Sequence, residues 1–511
     1  MIASIRSASM VGIDACGVDV EAHVSGGLPN FSIVGLPDTA IREARERVKA
    51  GILNSDFEFP KRRIIVNLAP ADIKKEGPAF DLPIAVAVLA ATQQIRIKRP
   101  GKYVLVGELG LDGVVRRVAG ALSIAIWARA AGMRGIIIAA ENAQEAALAE
   151  GIDIIPVNTL SETTCFLENK SDILPAETVV AALFHEDDSS IRNMSEIRGQ
   201  VQAKRALEIA AAGGHNILMF GPPGSGKTML AEAFSAILPP LTIEEAIETT
   251  RVYSSARMLS NENPLIVSRP FRNPHHTTSD IALVGGGTVP RPGEVSLSHN
   301  GVLFLDEVNE FKKHVLEVLR QPLENGKVTV SRASGTVVYP TEFMLIAAMN
   351  PCPCGYLGDK VRDCVCTPQQ IRGYRARMSG PLRDRIDLHI EVPRLSRENL
   401  LSEHEEEQTK VVRERVLLAR DIQTKRFNDI GISVNARMRP RTVSRYCKLE
   451  KKEKEFLGDA VERLGLTARS FTKLIKVGRT IADLNGDERV SIQHLAEAIQ
   501  YRLLDREVRV I

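Results

Sequence analysis

The sequence predicts an α/β protein in three parts: an α/β N-terminal domain, an α/β core and a helical C-terminal region. Three observations predict it. The first is length, since 511 residues exceed what one hydrophobic core organises and point to roughly three domains. The second is alternation: up to residue 165, β-rich runs (63–68, 103–107, 135–139) alternate with Ala-rich helical runs (83–91, 120–131). The third is a change of period, because 396–511 carries helical spacing almost throughout.

The boundaries that follow are an N-terminal domain over 1–165, a linker over 166–191, a core over 192–395 and a helical region over 396–511. The acidic stretch 186–190 (EDDSS) marks the linker as solvated. In the helical region, Ser402 and Glu405 have capping-box spacing ahead of a long charged helix whose Val412, Val416 and Ala419 share one face. A last helix begins near Ser491 and sets Ile492, Leu495, Ile499 and Leu503 on one stripe.

Composition excludes several classes of protein. Charge is close to balance at +3, so any contact with nucleic acid has to come from local basic patches. The longest apolar runs, such as 84–91, are too short to cross a bilayer, which argues against a membrane partner. The N-terminus (MIASIRSASM) has a single Arg and no apolar core of the kind a signal peptide needs, so the expected location is cytoplasmic. Seven cysteines in such a compartment argue against a disulfide framework.

The core holds the clearest chemistry. An apolar strand at 217–220 (ILMF) runs into Gly221, Pro222, Pro223, Gly224, Ser225, Gly226, Lys227 and Thr228. A Gly-rich loop between strand and helix lets backbone N–H groups face phosphates, and the helix N-terminus adds its positive end. Lys227 would reach the β- and γ-phosphates of ATP, and the Thr228 hydroxyl would hold Mg²⁺. The second half is 302–307 (VLFLDE), a buried strand ending in two carboxylates. Asp306 fits the magnesium role through water, and Glu307 fits the base that polarises the attacking water.

These segments, with 343–350 (FMLIAAMN) and the stretch ending RDRIDL at 388, resemble the helicase-like clade of AAA+ ATPases, which includes the MCM helicases and the ATPase subunit of magnesium chelatase. The resemblance implies that Asn350 is sensor 1, which orients the hydrolytic water, and that Arg385 is an arginine finger reaching a neighbouring subunit's site. Arg383, where the family commonly has an apolar residue, stands beside it. Arg469, in 467–475 (TARSFTKLI), matches the sensor 2 arginine of a helical lid. A finger supplied by a neighbour implies a ring, and the family implies a homo-hexamer.

Two insertions suggest what the ring acts on. The stretch 269–288 is rich in Arg, His and Gly, and 326–340 reads as a β-hairpin with Arg332 near its tip. In the resembling clade these are the helix-2 insert and the presensor-1 hairpin, which project into the pore. An Arg332 repeated around the ring would meet the phosphate backbone of single-stranded or branched DNA; the plainer alternative is an ordinary surface arginine. The stretch 372–385, with five Arg and Tyr374, either adds to that surface or is a solvated face.

Cys352, Cys354, Cys364 and Cys366 form two Cys-x-Cys pairs in one short loop. Four thiolates at tetrahedral corners suit a structural Zn²⁺, with a redox-sensitive pair and unligated thiols as alternatives. Cys16, Cys165 and Cys447 are scattered and are expected to be inert.

In the N-terminal domain, 75–82 (KEGPAFDL), 104–120 and 129–140 resemble the proteolytic domain of Lon, which uses a serine activated by a lysine. Those two positions correspond to Ala79 and Leu122, so the resemblance implies an inactive Lon-protease-like domain serving as a platform. The order of inactive Lon-like domain, AAA+ P-loop core and α-helical lid is similar to that of the ComM/YifB family. That similarity implies a DNA branch-migration helicase of natural transformation. A magnesium-chelatase motor and an ATP-dependent protease or unfoldase remain the competing functions; Ala79 and Leu122 argue against the last.

Overall fold

The computed structural model describes residues 1–72, 74–75, 77–98, 102–178, 180–184, 192–260, 262–287, 290–332, 335–359, 361–395 and 406–502. The acidic stretch 186–190, the Ser402–Glu405 pair and Leu503 lie outside the described residues. No helix among the described residues is long and apolar enough to cross a membrane.

The N-terminal region opens with β1 (Ile2–Val11), β2 (Asp14–Ser25), β3 (Asn30–Val34), α1 (Thr39–Leu53) and β4 (Arg63–Ala69). They build one sheet in the order β1-β2-β4-β3, with β3 parallel to β4 and the other pairs antiparallel. Val18, Val20, Ala22 and Val24 on β2 are buried, while Asp19, Glu21 and His23 between them are not, the alternation of a sheet covered on one face. The cover is α2 (Asp81–Ala91), which is apolar all round and buried along almost its whole length. Its one carboxylate, Asp81, is paired with Arg47 at 2.6 Å, and burial still pushes it up to about 6. A second sheet follows from β5 (Tyr103–Leu105), α3 (Ala121–Ala130), β6 (Gly135–Ala139) and β7 (Asp153–Val157), all parallel in the order β5-β6-β7. The run predicted as a strand to 107 ends at Leu105, because the Gly107 N–H turns away to the carbonyl of Ala79.

The core adds α4 (Val201–Gly213), β8 (Ile217–Phe220), α5 (Lys227–Ile237), α6 (Ile243–Ser255), β9 (Phe271–Arg272) and β10 (Val302–Leu305). It continues with α7 (Arg320–Asn325), β11 (Lys327–Arg332), β12 (Gly335–Pro340), β13 (Met344–Met349), α8 (Pro368–Arg375) and β14 (Leu388–Glu391). Five of the strands form a parallel sheet in the order β9-β10-β13-β8-β14. Both faces are covered, which is why its central strands read as unbroken apolar runs. Ile217, Met219, Val302, Phe304 and Ile346 face one hydrophobic cluster, and Leu218, Phe220, Leu303, Leu305 and Leu345 face another.

The first of those clusters continues into the C-terminal helices α9 (Thr409–Phe427), α10 (Lys451–Leu464), α11 (Ala468–Asn485) and α12 (Ile492–Gln500). Val412, Val416 and Ala419 are buried together on α9 as their spacing predicts. On α12, Leu495 and Ile499 are buried but Ile492 is exposed, because it opens the helix before the helix reaches the core.

The N-terminal region docks on α6 and on the base of the β11–β12 hairpin. Ile13, in the β1–β2 turn, is buried with Val252, Tyr253, Val328 and Tyr339. Around it, Arg251 donates to the Ile13 carbonyl (3.1 Å) and to Ser123 Oγ (3.1 Å), and Ser254 Oγ accepts from the Gly120 N–H (2.9 Å). A carboxylate buried among these apolar side chains would be costly to desolvate, so Ile13→Asp is expected to undock the region. Limited trypsin digestion of the variant should release an N-terminal fragment that the parent protein retains; an unchanged digestion pattern would contradict the docking.

Candidate nucleotide site and cysteine cluster

Strand register assembles the site. Phe220 pairs with Met349 and Leu305 with Ala347, so residues leaving the carboxyl ends of β8, β10 and β13 meet at one edge of the sheet. Gly221 can leave β8 only as glycine, since a Cβ there would lie 2.1 Å from the Val392 carbonyl oxygen. Gly224 and Gly226 take φ of 74° and 94°, the left-handed region that turns successive N–H groups inward ahead of α5.

Five predicted residues come together there. Lys227 Nζ donates to the carbonyls of Gly221 (2.8 Å) and Pro222 (3.0 Å) and to Asn350 Oδ1 (3.2 Å). Burial draws its pKa below the ordinary lysine range, against the pull of Asp306 and Glu307. Thr228 Oγ1 donates to Asp306 Oδ2 at 2.9 Å. Glu307 follows with φ of 47°, a left-handed conformation uncommon for a non-glycine residue. Its N–H donates to Asp306 Oδ1 (2.8 Å), and its half-exposed carboxylate lies 3.9 Å from His276 Nδ1. Arg377 holds the following turn through the Asn309 carbonyl (2.9 Å) and Glu310 (3.0 Å).

A magnesium triphosphate fits this donor set. Ser225 Oγ is buried with no hydrogen-bond partner among the described residues. The Lys227 ammonium is held by neutral acceptors, which an anionic phosphate outcompetes. Thr228 and Asp306 offer the hard oxygens that Mg²⁺ takes, already in contact with each other.

Arg385 and Arg469 lie together but are not joined to that group. Among the described residues, no hydrogen bond or ion pair links either to Lys227, Thr228, Asp306 or Glu307. Both pair with one carboxylate, Glu324, Arg385 through Nη2 and Arg469 at 2.9 Å. Arg383 ends a short helical turn, Gly380–Arg383, two residues before Arg385. Glu324 carries no motif, and only the fold brings it to these arginines. His276 lies within the His-rich insert, but its approach to Glu307 is likewise a product of the fold.

The basic segments are tied down more than their sequence suggests. In the insert, Arg269 donates to the carbonyls of Pro239 and Asn300, and Arg272 pairs with Glu294 at 2.7 Å. In 372–385, Arg375 donates to the Pro351 carbonyl, and Tyr374 is buried beneath Asn350. The hairpin forms as predicted, with Arg332 opposite Gly335, while residues 333 and 334 lie outside the described residues.

Cys352, Cys354, Cys364 and Cys366 converge, their sulfurs all within 4.8 Å of one another. The closest separations are 3.4 Å for Cys352–Cys354 and 3.6 Å for Cys352–Cys364 and Cys354–Cys364. Tetrahedral thiolates about 2.3 Å from Zn²⁺ stand about 3.8 Å apart, so the four fit that metal. The Tyr356 N–H, ahead of that of Val365, holds the Cys354 thiol down at about 6, which favours the thiolate. The loop also touches the phosphate loop: a Cβ on Gly355 would lie 2.6 Å from Pro223 Cδ.

In the N-terminal region, Ala79 lines a cavity of about 640 Å³ shared with Ser255, Arg291 and Tyr339 of the core, and Leu122 is fully buried. Neither offers a hydroxyl or an amine.

Comparison with known proteins places these features in a family. Residues 193–400 match the family model described as magnesium chelatase, subunit ChlI. Residues 406–502 match the corresponding C-terminal model, and 20–142 match the model described as subunit ChlI of Mg-chelatase. The chain is 45% identical to protein YifB of Salmonella typhimurium over 99% of its length and 98% of that protein. It is 44% identical to competence protein ComM of Haemophilus influenzae over 99% and 98% respectively. Similarity to the magnesium-chelatase 38 kDa subunit of Cereibacter sphaeroides is 28% over 31% of this chain and 52% of that one. Full-length identity of this order, together with a chelatase-type ATPase domain that keeps its phosphate loop and acidic strand end, shows that the chain belongs to the ComM/YifB family of AAA+ ATPases.

Proposed function

We propose that the protein is an ATP-hydrolysing homo-hexameric DNA motor, a branch-migration helicase acting on recombination intermediates during natural transformation. One observation carries the motor reading: the phosphate loop, the Thr228–Asp306 pair and Glu307 stand at one edge, while both candidate arginines stand together elsewhere on Glu324. A subunit built this way holds a nucleotide but needs a neighbour to complete its site.

In the assembled site, Lys227 and the loop N–H groups bind the β- and γ-phosphates. Thr228 and Asp306 would hold Mg²⁺, which would supply charge neutralisation at the phosphates. Glu307 polarises water for in-line attack on the γ-phosphorus, Asn350 orients that water, and Arg385 from the next subunit stabilises the transferring phosphoryl group. Arg469 on the helical lid adds a second cation. The four-cysteine loop binds structural Zn²⁺ and braces Pro223, and the inactive Lon-like domain serves as a platform seated against the hairpin base.

The name of the Haemophilus relative, competence protein ComM, supports a role in competence, and the hairpin supports a polymer threaded through a ring with Arg332 on its backbone. Similarity to the chelatase subunit favours a second reading, a motor for metal insertion into a porphyrin. That subunit resembles less than a third of this chain, and such a motor needs partners that bind the macrocycle. ATPase stimulation by single-stranded DNA rather than by porphyrin-binding partners separates the two.

Lys227→Ala should abolish nucleotide binding, whereas Glu307→Gln should keep binding and lose turnover by about 10²-fold or more. Equilibrium binding and steady-state ATPase assays check both, and parental turnover in Glu307→Gln would assign the base elsewhere. Elemental analysis should find one zinc per subunit, lost in the Cys354→Ser/Cys364→Ser protein together with a rise in KM for ATP. A metal-free preparation of full activity would contradict the zinc site. Arg385→Ala subunits should regain ATPase when mixed with Lys227→Ala subunits, since a mixed interface in one of its two orders pairs an intact loop with an intact finger. Arg332→Ala should keep basal ATPase but lose DNA-stimulated ATPase and strand unwinding; unwinding that survives at moderate salt would remove the hairpin from the DNA path.

A further inference from the structure

Glu324 stands in the last turn of α7, three residues before the β11–β12 hairpin begins. Its carboxylate meets Arg385 from just ahead of β14 and Arg469 from the first turn of α11, so one oxygen joins the hairpin, the core and the C-terminal helices. We infer that Glu324 is a latch on the arginine finger: it holds Arg385 and Arg469 within their own subunit, and displacement of the hairpin releases them toward the neighbouring nucleotide. This rests on the reading of Arg385 as the finger given above.

The pose of Arg385 requires such a release. Its side chain is 9% exposed, Nη1 donates to the Pro381 carbonyl (2.6 Å), and Nη2 is taken by Glu324. A guanidinium folded in this way does not extend across a subunit interface. Its Nε is buried with no hydrogen-bond partner among the described residues, which makes the pose costly and a better acceptor competitive. Two like charges share one counterion, and a triphosphate across the interface is the stronger anion. The two arginines, Arg385 first, hold the Glu324 carboxyl below the usual glutamate range.

The mechanical link is short. Gly326 turns the chain from α7 into β11 with φ of 63°. Its N–H donates to the Pro322 carbonyl and its own carbonyl accepts from the Thr341 N–H, both at 2.9 Å. The end of α7 is therefore tied to both strands of the hairpin base. Six-residue strands put the tip about 20 Å from that base, so a push by a bound polymer reaches the Glu324 turn directly. Glu324 is thus a positioning residue that acts through Arg385.

The test uses the assembled full-length protein. Glu324→Gln keeps the shape and removes the charge, so basal ATPase should rise several-fold while stimulation by single-stranded DNA shrinks. In an Arg385→Ala background the same substitution should change nothing, because the latch acts only through the finger. Glu324→Asp, which keeps the charge, should stay close to parental and controls for folding. The basal rise is read without DNA, so it stands whichever polymer moves the hairpin. A Glu324→Gln protein with basal ATPase lowered as in Arg385→Ala would make Glu324 a support of the finger and overturn the latch. Unchanged basal rate and stimulation would overturn it as well. Parental activity in Arg385→Ala alone would overturn the finger reading itself, and the latch with it.

Discussion

The register of β8, β10 and β13 is the constraint on which the rest depends. Parallel strands in this order bring their carboxyl ends to one edge, and the residues next in the chain have nowhere else to go. Gly221, Asp306 and Asn350 are those residues, and Lys227 bridges the first and last of them across 123 positions of sequence. The register is itself secured by burial, since a one-residue slip would exchange the two apolar faces that α5 and the C-terminal helices cover on one side and the Leu303–Leu305 cluster fills on the other.

What was legible in the sequence follows from that logic. The strands 217–220 and 302–305 were readable to the residue, because apolar runs buried on both faces end where chemistry begins. The phosphate loop was readable because its glycines are demanded by φ and by close approach to Val392. The convergence of Cys352, Cys354, Cys364 and Cys366 was readable because the four thiols are near neighbours in the chain. Glu324 and His276 were not, since each meets its partner only after folding, and an isolated carboxylate or imidazole carries no periodic or spacing signal. The state of the insert's arginines was not legible for a related reason: arginine count does not distinguish a solvated guanidinium from Arg269, spent on the carbonyls of Pro239 and Asn300.

The core and the C-terminal helices share one broad hydrophobic cluster, and a few side chains add further links between the three regions. Ile13 and Arg251 seat the N-terminal region on α6 and the hairpin base, and Glu324 ties the same hairpin to the helices that carry Arg469. The hairpin is therefore gripped at its base by one region and linked through one carboxylate to another. The cavity beside Ala79 lies within this grip, where β1, the end of α6, Pro290 and Arg291, and the hairpin meet.

The central claim is that one subunit holds a nucleotide without being able to complete its hydrolysis. Specific ATPase activity measured against protein concentration tests it most directly. The account predicts that activity per subunit falls steeply on dilution below the assembly concentration and returns on reconcentration. Activity per subunit that stays constant down to dilutions where sedimentation shows only monomer would contradict it.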